Sequence, residues 1–296
     1  MKIGIIGAGS LGLLYAFYLT KLQNQITLYT NREEQAEEIR RNGLTLIKND
    51  ISFNISINAD SSSEYKEDFL IVTVKQYHLD KIAATLKKHS PKMILFLQNG
   101  MGHLDILSTL SKEHQIIIGV SEHGALKVNN HTVIHSGIGK TKIAFYQMGE
   151  KGINKLNTLT SINEGDFSFE TVDSWKEMLI EKLMVNAAIN PLTALLRVRN
   201  GALIENLYYK EMLMSLFNEI IQVLDVHNGE QMLQHVLHIC EKTSENESSM
   251  YKDIQMGSKT EIDAILGFVV KRAKQKNVNI PLTLFLYNAI KGIEAK

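Results

Sequence analysis

"KIGIIGAGSLGLLYAFYL", residues 2–19, decides the fold. A short apolar run leads into Gly7, Gly9 and Gly12, and a longer apolar segment of helical length follows. A strand, a G-x-G-x-x-G turn and a helix in that order open a dinucleotide-binding sheet. Gly7 permits the tight turn, Gly9 lets the main chain approach a pyrophosphate, and Gly12 lets helix and strand pack closely. The helix start then offers unpaired N–H groups to the phosphates. Gly7, Ala8, Gly9, Ser10, Leu11 and Gly12 are therefore the expected cofactor contacts.

The same alternation continues downstream. "QITLYT" (25–30), "DFLIVTV" (68–74), "KMILFLQ" (92–98) and "QIIIGVS" (115–121) read as further strands. Near-continuous apolar runs of this length suit a parallel sheet covered on both faces. Residues 10–22, 32–42, 77–88 and 102–112 read as the helices between them, which makes βαβ units and a doubly wound sheet. From 123 to 147 short polar-rich strands are expected, with "VNNHTVIH" as a hairpin. After about residue 170 helical periods take over, at 173–196, 208–228, 230–242, 261–277 and 281–294, and the polar loop "SINEGDFSFE" marks the join. The expected architecture is α/β: an N-terminal Rossmann-type doubly wound sheet over 1–170, followed by an all-α C-terminal domain over 171–296.

Composition excludes several functions. Lys and Arg number 32 against 32 Asp and Glu, so no basic or acidic excess points to nucleic acid or to anionic lipid. One cysteine, Cys240, forbids an internal disulfide and fits a reducing cytosol. The start lacks a signal peptide's charged and apolar regions, and no uninterrupted apolar run reaches the ~18 residues of a membrane span. A cytoplasmic protein is expected. His235, His238 and Cys240 sit in an ordinary helical pattern without a closing set of ligands, so no metal is expected.

The strand tips narrow the cofactor. NAD-binding sheets place an acid at the end of the second strand to hold the ribose hydroxyls. Here Thr30, Asn31 and Arg32 follow, and an Arg can grip a 2′-phosphate in bidentate fashion. That favours NADP, the alternative being a solvated Arg beside Glu33 and Glu34 at a helix start. Lys75 and Asn99 follow the next two strands, at the edge where ligands of open α/β sheets lie. Each has a plainer reading, an exposed Lys and a turn-forming Asn before Gly100.

The helical half has its own signal. In "EKLMVNAAINPLTAL" (181–195), Lys182, Asn186 and Asn190 lie four residues apart on one helical face, among apolar neighbours on nearly every other side. Buried Lys and Asn are costly without partners, so the stripe needs a purpose. Pro191 is expected to bend or end this helix and to push Asn190 away from helical geometry.

GAGSLG (7–12), TVK (73–75), QNGMG (98–102), K-x-x-x-N-x-x-I-N-P (182–191), RNG (199–201), SSM (248–250) and TEID (260–263) occur together and in order. The chain thereby resembles the ketopantoate reductase family, whose members reduce 2-dehydropantoate to pantoate with NADPH, and the likeness runs over essentially its whole length. The resemblance implies that Lys182 is the general acid, able to stabilise charge on the ketone oxygen and to donate its proton. It implies substrate contacts at Asn99, Asn186, Asn190, Asn200 and Ser249, and cofactor contacts at Arg32, Lys75, Asn99, Ala125 and Glu261. Plainer readings stand beside two of these: Ser249 as a loop residue or N-cap, and Glu261 as an acid favoured in a first helical turn capped by Thr260. The partners implied are a small 2-oxo acid and a second copy of the chain as a homodimer. Related members reduce other branched 2-oxo acids. A sensor that binds NADP(H) without turnover has no use for a proton donor, and a scaffold would bind no cofactor.

Overall fold

The structure, a computed structural model, describes residues 1–147 and 163–295. Its first unit comprises Met1–Gln98 and Leu104–Trp175, its second Asn99–His103 and Lys176–Lys296. The chain division thus falls at Trp175, and one five-residue excursion, Asn99–His103, groups with the helical unit.

The first unit begins β1 (Lys2–Ile6), α1 (Ser10–Lys21), β2 (Gln25–Tyr29), α2 (Glu33–Asn42), β3 (Leu44–Lys48), β4 (Ile51–Ile55) and β5 (Asn58–Asp60). It continues through β6 (Phe69–Val72), α3 (Leu79–Leu86), β7 (Met93–Phe96), α4 (Leu104–Leu110), β8 (Gln115–Ser121), β9 (Gly124–Lys127), β10 (Thr132–Gly137), β11 (Thr141–Phe145), β12 (Asn163–Glu164) and β13 (Phe167–Thr171). The large sheet has the order β12-β13-β11-β8-β7-β6-β1-β2-β5. From β8 to β5 every pairing is parallel. Read from β1, these six strands follow the 3-2-1-4-5-6 order of a dinucleotide-binding sheet. Their register pairs Ile6 with both Tyr29 and Val72, so Gly7, Thr30 and Thr73 leave the sheet side by side at its carboxyl edge.

A second sheet, β4-β3-β10-β9, covers the other side of α1. Leu13, Leu14, Tyr15, Phe17 and Tyr18 share one core with Ile3, Ile5 and Leu28 of the large sheet and with Leu44, Leu46 and Val133 of the small one. A helix held between two sheets is apolar all round, which accounts for "LGLLYAFYL".

Two features of this unit lay outside the sequence expectation. Residues 44–60 form β3, β4 and β5, where no strand was expected. β5 is a three-residue polar edge strand, and β4 is largely exposed, so neither carries an apolar run. The expected polar loop 161–170 is a hairpin over its described part, residues 163–170; residues 161 and 162 lie outside the described residues. Phe167 and Phe169 point inward at strand spacing, and the Phe167 ring stacks on Tyr18 at 4.7 Å.

The helical region runs α5 (Trp175–Leu196), α6 (Ala202–Glu205), α7 (Leu207–Val223), α8 (Gly229–Lys242) and α9 (Ser249–Gln255). A π-helical turn, Asp263–Gly267, then leads into α10 (Phe268–Lys276), and α11 (Pro281–Glu294) follows. α5 is long and apolar enough to span a bilayer, with mean hydropathy 1.3, yet 67% of that stretch is buried inside the fold. Pro191 lies within α5, which continues unbroken to Leu196 and so corrects the expected stop. Burial of Ala187, Ala188, Ile189, Leu192 and Ala194 outweighs the ~3 kcal/mol that an interior proline costs. α6 and α9 were not expected; they span only four and seven residues, too short to display a helical period.

Candidate active site

In the first unit the main chain does most of the building. Gly7 has φ +111°, where a side chain would be strained. A β-carbon on Gly12 would stand 1.8 Å from the Gly7 carbonyl oxygen, so helix and loop can meet only there at glycine. Gly9 is different: a β-carbon on it would meet no protein atom within 4 Å. Thr73 fixes the turn from β6, its hydroxyl lying 2.8 Å from the Gly7 carbonyl. No side chain caps α1 at Gly9, which leaves the first-turn N–H groups turned to the open side of the loop.

Three further residues close around this loop. The Ala8 carbonyl accepts from Gln35 Nε2 at 3.0 Å and from Lys127 Nζ at 3.1 Å. The Lys127 backbone N–H donates to Ser10 Oγ at 3.2 Å. Leu11 and Ala125 are half-buried against the core. Arg32 precedes α2, donates through Nη2 to Asn130 Oδ1 at 2.9 Å and pairs with Glu34 at 3.6 Å, with its side chain 56% exposed. Burial pushes the Lys127 ammonium below its ordinary pKa, and the positive charge of Arg32 pushes it further. Two cations therefore share the neighbourhood of the glycine loop and the β2 tip. Arg32 was legible in the sequence. Lys127 was not, because it reaches Ala8 across 119 residues from the end of a polar strand. Lys75, half-buried, stands just before a short turn, Gln76–His78, beyond β6.

The second unit builds with side chains. Asn186 and Asn190 are each 8% exposed and lie on successive turns of α5, with Lys182 partly exposed one turn earlier. Asn190 Nδ2 reaches Ser249 Oγ at 3.5 Å, and Ser249 is an exposed residue at the start of α9. Ser248, not Ser249, caps that helix by accepting from the Tyr251 N–H at 3.1 Å. Ser248 also meets the Thr193 hydroxyl at 2.7 Å, which ties α9 to α5 below the stripe. Asn200 Nδ2 donates to Thr243 Oγ1 at 2.9 Å, whereas its buried Oδ1 has no partner among the described residues.

Asn99 and Glu261, 162 residues apart, are joined directly: Asn99 Nδ2 donates to Glu261 Oε2 at 2.9 Å. The contact depends on Gly100, at φ +77°, where a β-carbon would stand 2.1 Å from the Ala264 carbonyl oxygen. Thr260 Oγ1 accepts from the Ile262 N–H at 3.1 Å. The π-helical turn that follows has Ile262 at its N-cap and no side-chain cap, so Thr260 does not cap it as expected and Glu261 precedes the turn. Such turns often accompany functional sites. Elsewhere His235 pairs with Glu181 at 3.3 Å, His238 lies 3.9 Å from Glu241, and Cys240 is buried.

The first unit thus carries an anion-accepting loop with two cations, and the second carries a Lys–Asn–Asn face and an Asn–Glu pair. Comparison with known proteins gives the family. The family model described as ketopantoate reductase PanE/ApbA matches residues 3–147, and that of its C-terminal part matches 174–294. The chain is 40% identical over 294 residues to a 2-dehydropantoate 2-reductase of Bacillus subtilis, covering 99% of this chain and 98% of that protein. It is also 40% identical over 301 residues to a protein of the same name from Listeria innocua, covering 100% and 98%. A crystal structure of the probable 2-dehydropantoate 2-reductase of Bacillus subtilis superposes with TM-score 0.91 at 40% identity, covering 99% of this chain and all of that one.

Proposed function

The chain belongs to the ketopantoate reductase family, and we propose that it reduces 2-dehydropantoate to (R)-pantoate with NADPH, a step towards pantothenate and coenzyme A. The observation that carries the reading is the face of Lys182, Asn186 and Asn190 on a helix otherwise packed in apolar surroundings. In this assignment residues 1–170 hold the cofactor, and residues 171–296, with Asn99, hold the substrate and the acid.

The loop residues fit a dinucleotide. Open space at Gly9 admits a pyrophosphate, and the uncapped start of α1 supplies N–H donors and a favourable dipole. Arg32, with Lys127 close by, suits a 2′-phosphate, and Lys75, Ala125, Asn99 and Glu261 complete the cofactor contacts. NADPH, when bound, supplies the hydride.

At the substrate, hydride addition to the C2 ketone leaves negative charge on its oxygen. The Lys182 ammonium donates a hydrogen bond to that oxygen and then its proton, so the product leaves as an alcohol. Asn186, Asn190, Asn200 and Ser249 hold the carboxylate and the 4-hydroxyl; the Asn200 Oδ1, which has no partner among the described residues, is an acceptor suited to a hydroxyl donor. The protein works in the cytoplasm as a homodimer in this reading, which sizing chromatography tests.

The experiment is a panel of branched 2-oxo acids assayed with NADPH and with NADH. Preference for 2-dehydropantoate with NADPH is expected, with Asn186→Ala and Asn190→Ala raising its KM at unchanged NADPH affinity. Turnover of another 2-oxo acid at higher kcat/KM would replace the substrate. Absence of turnover alongside tight NADPH binding would make the chain a sensor.

A further inference from the structure

α11 carries Tyr287, Lys291 and Glu294 at i, i+4 and i+7, on one face. All three side chains are turned to the segment Thr260–Asp263. Glu294 Oε1 accepts from the Thr260 N–H at 2.7 Å and lies 2.6 Å from the Thr260 hydroxyl. Its other oxygen is 3.2 Å from Lys291 Nζ. Lys291 Nζ also donates to Asp263 Oδ2 at 3.0 Å, and the Tyr287 hydroxyl to Asp263 Oδ1 at 2.8 Å. The residues before and two after Glu261 are therefore fastened to one helix face, while the Glu261 carboxylate itself is held by Asn99.

Burial makes the fastening stiff. Thr260 is 2% exposed and the Glu294 side chain 10%, so the bonds between them meet little competition from water. Burial alone would push the Asp263 carboxyl up, yet its bonds from Lys291 and Tyr287 hold it below its ordinary value.

Fixing α11 itself does not call for these bonds. Its start is anchored separately, by the Glu219 carboxylate, which accepts from the N–H groups of Leu282 at 2.9 Å and Thr283 at 2.8 Å. Leu286 and Ile290 bury its middle. What Glu294 adds is control of the backbone at Thr260.

We propose that Glu294 is a positioning residue for Glu261: the last helix clamps the Thr260–Asp263 turn so that the Glu261 carboxylate keeps one orientation toward the cofactor. The proposal rests on the role given to Glu261 above. Tyr287 and Lys291 hold the far side of the same turn through Asp263.

Three substitutions separate geometry from charge. Glu294→Gln keeps the Oε1 acceptor for Thr260 and loses the charge. Glu294→Asp keeps the charge and shortens the reach by one methylene. Glu294→Ala removes both. Each is assayed for kcat, KM, NADPH affinity by fluorescence titration, and melting temperature. The Gln variant is expected to stay near wild type, while the Asp and Ala variants lose up to roughly tenfold in kcat/KM, about the worth of one hydrogen bond. In a Glu261→Ala background the Glu294→Ala change should cost nothing further in kcat/KM. An equal loss in both backgrounds overturns the proposal, as does a lowered melting temperature with wild-type kcat/KM and NADPH affinity. A Gln variant worse than the Asp variant also overturns it, since charge rather than reach would then matter. If Glu261→Ala alone changes neither kcat/KM nor NADPH affinity, the role of Glu261 fails and the clamp fails with it. An impaired Glu261→Ala beside a silent Glu294→Ala sinks the clamp alone.

Discussion

The first unit makes its candidate ligand surface from main chain, the second from side chains. Around Gly7, Gly9 and Gly12 the decisive features are a positive φ, an absent β-carbon and an uncapped helix start. On α5 they are an ammonium and two amides, carried by a helix that packing alone would have made apolar. The two surfaces should therefore fail differently. A backbone surface survives most exchanges of side-chain chemistry and breaks when a carbon is added; a side-chain surface tolerates neither loss nor relocation of its functional groups.

The largest expected effect lies in the second unit. Lys182→Ala should lower kcat by about 10²–10⁴-fold, the usual contribution of a positioned general acid, and leave NADPH titrations unchanged. The alkaline limb of the wild-type rate profile should vanish with it. A variant with near-wild-type kcat and the same alkaline limb would move the proton donor elsewhere and erase the contrast.

Acid should unsettle both units. His103 in the second unit and His123 in the first are buried, and burial pushes each imidazole down to about 4 from an ordinary 6.5. Between those values the unfolded chain binds protons that the folded one refuses, so the stabilisation is full above pH 6.5 and is lost as pH falls toward 4. His103, fully buried with both ring nitrogens unpartnered among the described residues, should cost up to about 3 kcal/mol across that window. His123 carries the same downward shift and should lose a similar amount over the same window. Thermal melts from pH 7 to 4 measure the slope, and His103→Leu should flatten it. An unchanged slope in that variant would assign acid sensitivity to other groups.

Next comes cofactor choice. Arg32→Ala should weaken NADPH by about 1.5–3 kcal/mol while leaving NADH nearly unaffected. Equal affinity for the two dinucleotides in the wild-type protein would remove the role given to Arg32. The smallest contrast is within the glycine loop itself. Gly12→Ala should lower stability by about 1–3 kcal/mol through overpacking against the Gly7 carbonyl. Gly9→Ala should leave the melting temperature unchanged and weaken only dinucleotide binding, because its β-carbon enters open space. Destabilisation of similar size in both would show that Gly9 also serves the fold.

What could be seen in the sequence follows the same division. The glycine loop and the central parallel strands are local: their spacing and their apolar runs state the structure within a few residues. The stripe on α5 is also local, being one helix face. β5 escaped because a polar edge strand is held by its neighbour, Thr27–Tyr29, rather than by a pattern of its own. β13 escaped although Phe167 and Phe169 alternate with polar residues, because two aromatics are too few to stand out from a loop. Lys127 reaching Ala8, Asn99 reaching Glu261 and Glu294 reaching Thr260 are long-range meetings that no spacing rule contains. Pro191 misled for a related reason: its local preference was overruled by the surroundings that bury it.

The position of α1 between two sheets also governs how the chain must acquire its structure. One flank of α1 is completed only when β10 pairs with β3, which joins Thr132 to Thr45. Loop closure of that span comes before any reward from burying Leu13, Leu14 or Tyr15 on both sides, so non-local pairing should set the folding rate. On a ribosome the first helix must wait, with one apolar side uncovered, until about half the chain has emerged. A nascent segment of that kind is where chaperone capture and self-association begin. A pause that holds β10 inside the ribosome should therefore lower the soluble yield more than the same pause placed once β10 has emerged.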